Sequence, residues 1–380
     1  MNATTGTVGR ATPAGNGGET AALAPRRPTM QAIVQAEYGS ADVLRVEEID
    51  RPAIGDGEVL VRVHAAGLDR GTWHLMTGLA YPIRLMGYGL RAPRNPVPGL
   101  DVAGTVVAAG ANVTRFKVGD EVFGISQGSF AEYACAREDK LARKPVNLTF
   151  DQAAVVAVSG LTALQGLRDA GRVEPGQHVL IVGASGGVGT FAVQMAKAFG
   201  AEVTGVCSTA KIDLVRSIGA DHVIDYTQGD FANGRQRYDL VLDIGGNSPL
   251  SRLRRALTPS GTLVIAGGED GGRWTGGMGR QLRALALSPF VRQRLTMLIS
   301  KQNHADLERL AQLIEAGALT PVIDTTYPLR RAPDAMRHLE AGHARGKLVI
   351  TVTGAGRAAA SSLQSLQTTG QTSSHSECAN

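Results

Sequence analysis

From Met30 to about Lys144 apolar and polar positions alternate in short runs, QAIVQAEY, VLRVEEI, EVLVRVHAAG, VAGTVVAAG, GDEVFG and SFAEYACA, with Gly and Pro between them. Successive side chains of a strand face opposite sides, so this period predicts half-buried strands and a compact, mostly β domain. The pattern changes at Val179, and from there to Ala196, in VLIVGASGGVGTFAVQMA, no side chain is charged. A membrane helix needs roughly 18 predominantly apolar residues. This stretch reaches that length only by including four glycines, Ser185, Thr190 and Gln194, so no membrane span is predicted. Val179 to Val182 is the aliphatic run of a buried parallel strand, and Gly183 to Gly189 is a turn in which the backbone can approach a ligand. Beyond it Val188, Phe191, Ala192, Met195 and Ala196 recur at helical spacing. Further strands are predicted at Glu202 to Cys207, His222 to Asp225, Tyr238 to Ile244 and Gly261 to Ala266, with helices separating the later ones. Helical stretches follow near Leu282 to Ser300 and Ala305 to Ala316, then a strand Val322 to Tyr327, a helix from Ala332 and a last strand Lys347 to Thr353. The closing strands have no place in the sheet begun at Val179 and are expected to return to the first domain.

A strand, glycine turn and helix leave the first N–H groups of the helix pointing, with the positive end of its dipole, at whatever lies above the strand. That is an anion site. Ala184 stands at the first glycine place of a dinucleotide fingerprint, while Gly186 and Gly189 keep the other two. The following strand supplies the βαβ setting such a fingerprint needs. Enzymes that use the unphosphorylated dinucleotide place Asp or Glu at the end of the second strand, on the ribose 2′-hydroxyl. Here the place reads Cys207-Ser208-Thr209-Ala210-Lys211, with two hydroxyls and an ammonium that suit a 2′-phosphate and hence NADP(H). The plainer reading is a solvated loop in which Lys211 starts the next helix.

The chain has 380 residues, enough for two domains, and its 43% hydrophobic and 19% charged content is that of a globular protein. Of the net charge of +5, +2 lies in the first 29 residues. Only 4% of residues are aromatic and no basic run is interleaved with them, so no nucleic-acid platform is predicted. Cys135, Cys207 and Cys378 are widely spaced and odd in number, which fits a reducing cytoplasm without a disulfide framework. Residues 1–29 and 354–380 lack apolar periodicity and read as disordered tails. The arginines and scarce acids of the first resemble a mitochondrial transit peptide, but it shows no amphipathic helix.

Several segments in order, Val97-Pro98-Gly99-Leu100-Asp101-Val102-Ala103-Gly104, Val118 to Gly124, Gly128 to Tyr133, Gly160-Leu161-Thr162-Ala163, the glycine turn and Arg345-Gly346-Lys347-Leu348-Val349, carry a resemblance. The chain resembles the medium-chain dehydrogenase/reductase superfamily, within it the zinc-independent quinone oxidoreductase branch. The resemblance implies an α/β fold: a GroES-like β domain at 30–153, a doubly wound parallel-sheet Rossmann domain at 154–295, and a return to the first domain at 296–353. It also implies a homodimer. Zinc-using members hold the metal with an early Cys, a His in a G-H-E segment and a further Cys or acid. Here those places fall near Gly67 and Leu68 and at Gly99-Leu100-Asp101, so no metal site is expected. Asp101 then reads as structural or as the partner of a cation. Without a Lewis acid, acceptors that are already electron-poor are favoured, namely quinones and α,β-unsaturated carbonyls. The partner expected is thus a small hydrophobic electron acceptor. The alternatives are an NADP-linked alcohol or aldehyde dehydrogenase, and an NADPH-binding sensor or scaffold without efficient turnover.

By the same resemblance Ser185, Gly186, Gly187, Val188 and Gly189 hold the pyrophosphate. Ser208, Thr209, Lys211 and Tyr226 hold the 2′-phosphate and adenosine, Tyr226 being equally readable as a half-buried strand-end residue. Thr162, Gly267, Gly268 and Lys347 lie toward the nicotinamide. Asp69 takes the place where quinone oxidoreductases often carry Asn: either an acid/base group, if burial raises its pKa, or an ion-pair partner of Arg70. His74 is a second proton-donor candidate or a packing residue. Leu79 to Pro93 and Gly271 to Gly279 read as loops, the first able to line a pocket for a flat hydrophobic substrate or to make a subunit contact.

Overall fold

In the computed structural model the residues described are 28–82, 84–268, 274 and 278–352. The predicted tails, apart from Pro28 and Thr29, and most of Gly271 to Gly279 lie outside them. The first domain opens with β1 (Thr29–Val34), β2 (Arg45–Asp50), β3 (Glu58–Leu68), helix α1 (Arg70–Thr77), β4 (Asp101–Ala109), β5 (Glu121–Ile125), β6 (Tyr133–Arg137) and β7 (Leu141–Arg143). Helices α2 (Phe150–Ala153) and α3 (Ala157–Gln165) lead to β8 (His178–Val182), α4 (Gly187–Ala198), β9 (Glu202–Cys207), α5 (Ile212–Ser217), β10 (His222–Asp225), β11 (Tyr238–Asp243), α6 (Leu250–Ala256), β12 (Leu257–Ile265) and β13 (Arg294–Met297). The described chain closes with β14 (Ile323–Pro328) and β15 (Lys347–Thr351).

Two sheets result. Six parallel strands run in the order β10-β9-β8-β11-β12-β13, and a seven-stranded sheet runs β14-β15-β3-β4-β5-β7 with β6 on β3. β15 lies antiparallel to β3, pairing Leu348 with Leu68, so the end of the described chain completes the first domain. The two kinds of strand are legible in burial. Val59, Val61 and Val63 of β3 alternate inward, whereas Val179 to Val182 are all buried because helices cover both faces of a parallel sheet. Ala65, Ala103 and Phe123 of the first sheet share one core with Ala157, Leu161 and Leu164 of α3 and Phe191 and Val193 of α4, so α3 packs the domains together.

Two predictions are corrected. The helix expected over Leu282 to Ser300 stops at Leu287, and a single turn at Ser288–Phe290 precedes β13, an edge strand parallel to β12. Pro289 cannot continue the helix, and only Leu295 of β13 is buried, as at a sheet margin. β13 also straddles the predicted boundary at 295. The stretch Leu79 to Pro93 is not wholly irregular: Arg84–Tyr88 forms a wide π-type turn.

Candidate functional site

The order of the parallel sheet reverses between β8, from which the chain moves out to β9 and β10, and β11, from which it moves the other way. Ligands of such sheets bind beyond the C-terminal strand ends at this switch point. A cleft of about 680 Å³ opens there, between the loops after β8, β9, β11 and β12 on one side and α1, α3 and β15 on the other.

Its floor is the glycine turn. Gly183 has φ of +88°, a conformation that favours glycine, so the tight turn is made one residue before Ala184, where the fingerprint was sought. Gly189 lets α4 approach β8: a Cβ there would overlap the Gly183 carbonyl oxygen, and a Cβ on Gly187 would stand 2.7 Å from Cδ of Lys347. The second domain is tied to the first at this point, because the Gly346 N–H donates to the Ser185 carbonyl at 2.9 Å.

Beside the turn lies a buried ion pair. Lys347 Nζ is 3.0 Å from Asp101 Oδ2, with both side chains almost wholly excluded from solvent. Asp101 Oδ1 accepts from the Val158 N–H at 2.7 Å, which aligns the start of α3 and the cleft-lining Ser159 and Thr162. Burial pushes Asp101 up to about 6, against the attraction of Lys347 and with added repulsion from Asp69. Of its two readings, Asp101 is thus the partner of a cation.

At one end of the cleft Ser208, Lys211, Tyr226 and Arg252 come together. Lys211 Nζ donates to the carbonyls of Ala344 at 2.8 Å and Gly342 at 3.3 Å, and desolvation holds its pKa below the usual ammonium value. Tyr226 is 57% exposed, a solvent-facing wall and not a half-buried strand end. Thr209 is turned away: its hydroxyl donates to Asp225 Oδ2 at 2.5 Å, and it does not line the cleft. Asp225 escaped the sequence reading because it ends β10, where register places it beside Cys207. Its carboxylate is occupied by Thr209 and Thr227 and, like Thr209, does not line the cleft.

At the other end stand Asp69 and His74. Asp69 caps α1, its Oδ1 accepting from the Thr72 N–H at 2.9 Å, while its Oδ2 is buried with no partner. An unsatisfied buried acceptor in a cleft wall fits an incoming N–H or O–H group. His74 Nδ1–H donates to the Leu79 carbonyl at 2.9 Å, which fixes the ring against the loop. Gly267 and Gly268 lie opposite, where Arg280 donates to the carbonyls of Gly267 at 2.9 Å and Ser248 at 2.7 Å and pairs with Asp243 at 2.7 Å. Arg280 and the cleft-lining Asn247 and Ser248 were missed, and only the Gly245-Gly246 pair that follows β11 could have signalled them. A dinucleotide fits this donor set: glycine N–H groups at the centre, cations at one end and an unpaired acceptor at the other.

Among families of known proteins, the one described as the alcohol dehydrogenase GroES-like domain matches residues 55–146, and the one described as zinc-binding dehydrogenase matches residues 218–350. The chain is 34% identical over 365 residues to the mitochondrial NAD(P)H oxidoreductase RTN4IP1 of Bos taurus, covering 86% of this chain and 90% of that protein. It is 34% identical over 336 residues to the chloroplastic NADPH-dependent alkenal/one oxidoreductase of Arabidopsis thaliana, covering 84% and 79%. A solved quinone oxidoreductase from Coxiella burnetii superposes with a TM-score of 0.75 at 29% identity, over 86% of this chain and all of that one.

Proposed function

Because the chain belongs to the medium-chain dehydrogenase/reductase superfamily, in its quinone oxidoreductase-like part, we propose that it is an NADPH-dependent reductase of quinones or α,β-unsaturated carbonyls that works without zinc. The observation that carries this reading is the single cleft in which the glycine turn separates a cationic end, Lys211 with Ser208, from an end walled by Leu68, Asp69 and His74. The relatives support it, being an NAD(P)H oxidoreductase and an NADPH-dependent alkenal/one oxidoreductase by name. The zinc-binding description belongs to a match over 218–350, and in the first domain Leu68 and Leu100 offer no ligand atom at the two places considered above.

When bound, the cofactor supplies a hydride to the electron-poor carbon of the acceptor. The N–H groups that open α4 would hold the pyrophosphate, and Gly187, lacking a Cβ, leaves room beside them for Lys347, whose ammonium is paired with Asp101. Ser208 and Lys211 take the 2′-phosphate. Asp69 Oδ2 accepts a hydrogen bond from the nicotinamide amide or the substrate, which replaces the acid/base role with one of orientation. His74 would deliver the proton that completes the reduced acceptor. Cys135 and Cys207 stand as free thiols, each pushed up to about 11 by burial.

Purified protein is expected to oxidise NADPH in the presence of an ortho- or para-quinone or a conjugated enone, at a rate that a chelator leaves unchanged. Tight NADPH binding with no turnover across the panel would favour a sensor, and alcohol oxidation that follows added metal would refute the zinc-free assignment. His74→Ala should lower kcat with NADPH affinity unaltered, while Asp69→Asn should shift KM more than kcat. Lys211→Ala tests cofactor choice: losing a charge-assisted bond worth roughly 1.5–3 kcal/mol, about 10- to 150-fold, should weaken NADPH and spare NADH. Equal weakening of both would remove Lys211 from the phosphate site.

A further inference from the structure

At the opposite edge of the parallel sheet, where its strands begin, four arginines converge on a second hollow of about 390 Å³. Arg237 precedes β11, Arg254 and Arg255 end α6, and Arg292 precedes β13; Ser251, Pro259, Val291 and Gln293 complete the lining, and no carboxylate is among them. Two nearby arginines of this domain are, by contrast, paired with carboxylates: Arg252, on the same helix, with Asp230 at 2.9 Å, and Arg280 with Asp243 at 2.7 Å. Among the described residues none of the four pairs with a carboxylate; Arg254 donates to Gln293 Oε1 at 3.0 Å and Arg237 to the Leu257 carbonyl at 3.2 Å. Asp230 feels Arg255 but is already held by Arg252. Gln293 in turn donates to the carbonyls of Arg254 and Thr258, so the Arg254 fork is held in place.

The C-terminus of α6 attracts Arg254 and Arg255 through its dipole. It does not account for Arg237 and Arg292, which come from other elements. Four like charges around one hollow repel unless an anion enters, and guanidinium groups bind phosphate oxygens in pairs. The geometry points to a second anion site, for a soluble ligand carrying two or more phosphates, on the edge of the sheet away from the cofactor cleft.

Inorganic tripolyphosphate is the probe, titrated calorimetrically into the full chain at low salt. Wild type and Lys211→Ala should both retain this site. Arg255→Ala/Arg292→Ala should weaken binding by about tenfold or more for each arginine removed and flatten its dependence on salt. Both residues are exposed, and NADPH oxidation by the double variant should be unchanged. Equal binding by wild type and the double variant overturns the proposal, as does loss of all binding in Lys211→Ala, which would place the anion in the cleft. Sedimentation with phosphatidylserine vesicles separates a lipid headgroup from a soluble ligand: arginine-dependent capture by vesicles without tripolyphosphate binding also overturns it. Because the arms compare arginine variants directly, failure of the cofactor assignment leaves this result readable.

Discussion

Lys347→Met should lower the unfolding free energy by about 3–5 kcal/mol at pH 8, because it leaves the Asp101 carboxylate buried and unpaired. The variant must also become relatively more stable as the solution is acidified. Burial already raises Asp101 to about 6, and Lys347 is the chief attraction opposing it, so without the ammonium the carboxyl rises further. A carboxyl whose folded pKa lies above its unfolded value contributes stability that is complete below the unfolded pKa and lost as pH rises through the folded one. The deficit of the variant against wild type should therefore be largest at pH 8, shrink as the stranded carboxylate takes up a proton above pH 6, and level off below about 6, where the wild-type carboxyl is protonated as well. Asp101→Asn/Lys347→Met should recover much of the loss at pH 8. Urea unfolding of the three proteins at pH 5, 6.5 and 8 measures this. A deficit independent of pH would mean that packing, and not charge, sets the cost.

Gly189→Val should lower kcat/KM for NADPH by about 100-fold or more, since displacing the N–H groups proposed to hold the pyrophosphate by an ångström is enough to cost that much. The added side chain meets the Gly183 carbonyl oxygen, and either α4 or the turn must move away. Overpacking of this kind also costs about 1–3 kcal/mol of stability. Circular dichroism and thermal melting distinguish a folded protein that has lost its cofactor from an unfolded one. Gly189→Ala should show a smaller defect in the same direction. A folded Gly189→Val protein with unchanged NADPH kinetics would remove the turn from the cofactor site.

The nucleotide sheet was legible because its evidence is local. Val179 to Val182 with the glycines after them state strand and turn within a dozen residues, and burial in the structure follows that text. Asp101 was not legible in the same way. Its environment depends on Lys347, 246 residues away, and on a backbone N–H of α3, so sequence could offer only the choice between a structural role and an ion pair. Thr209 misled for a related reason: the carboxylate that claims its hydroxyl sits on an adjacent strand, and only the register of β9 and β10 brings the two together. The edge strand β13 hid behind a helical pattern that ran past Pro289. The loop after β11 has no periodicity to read, and its Asn247 and Ser248 join the cleft through topology alone.

The position of β15 has a consequence for biosynthesis. It is made long after β3 yet lies directly against it, between β3 and β14; it begins with Lys347, and Gly346 just before it makes the tether to the glycine turn. A nascent chain that has emerged only as far as β13 holds every strand of the nucleotide sheet, while the flank of β3 that awaits β15 stays open. An unpaired strand edge is where aggregation begins, so this interval is the stage at which the growing polypeptide most needs a chaperone. Ribosome-stalled chains long enough for β13, but not β15, to have left the exit tunnel should accordingly be captured by trigger-factor-like holdases more readily than linker-extended chains from which β15 has cleared it.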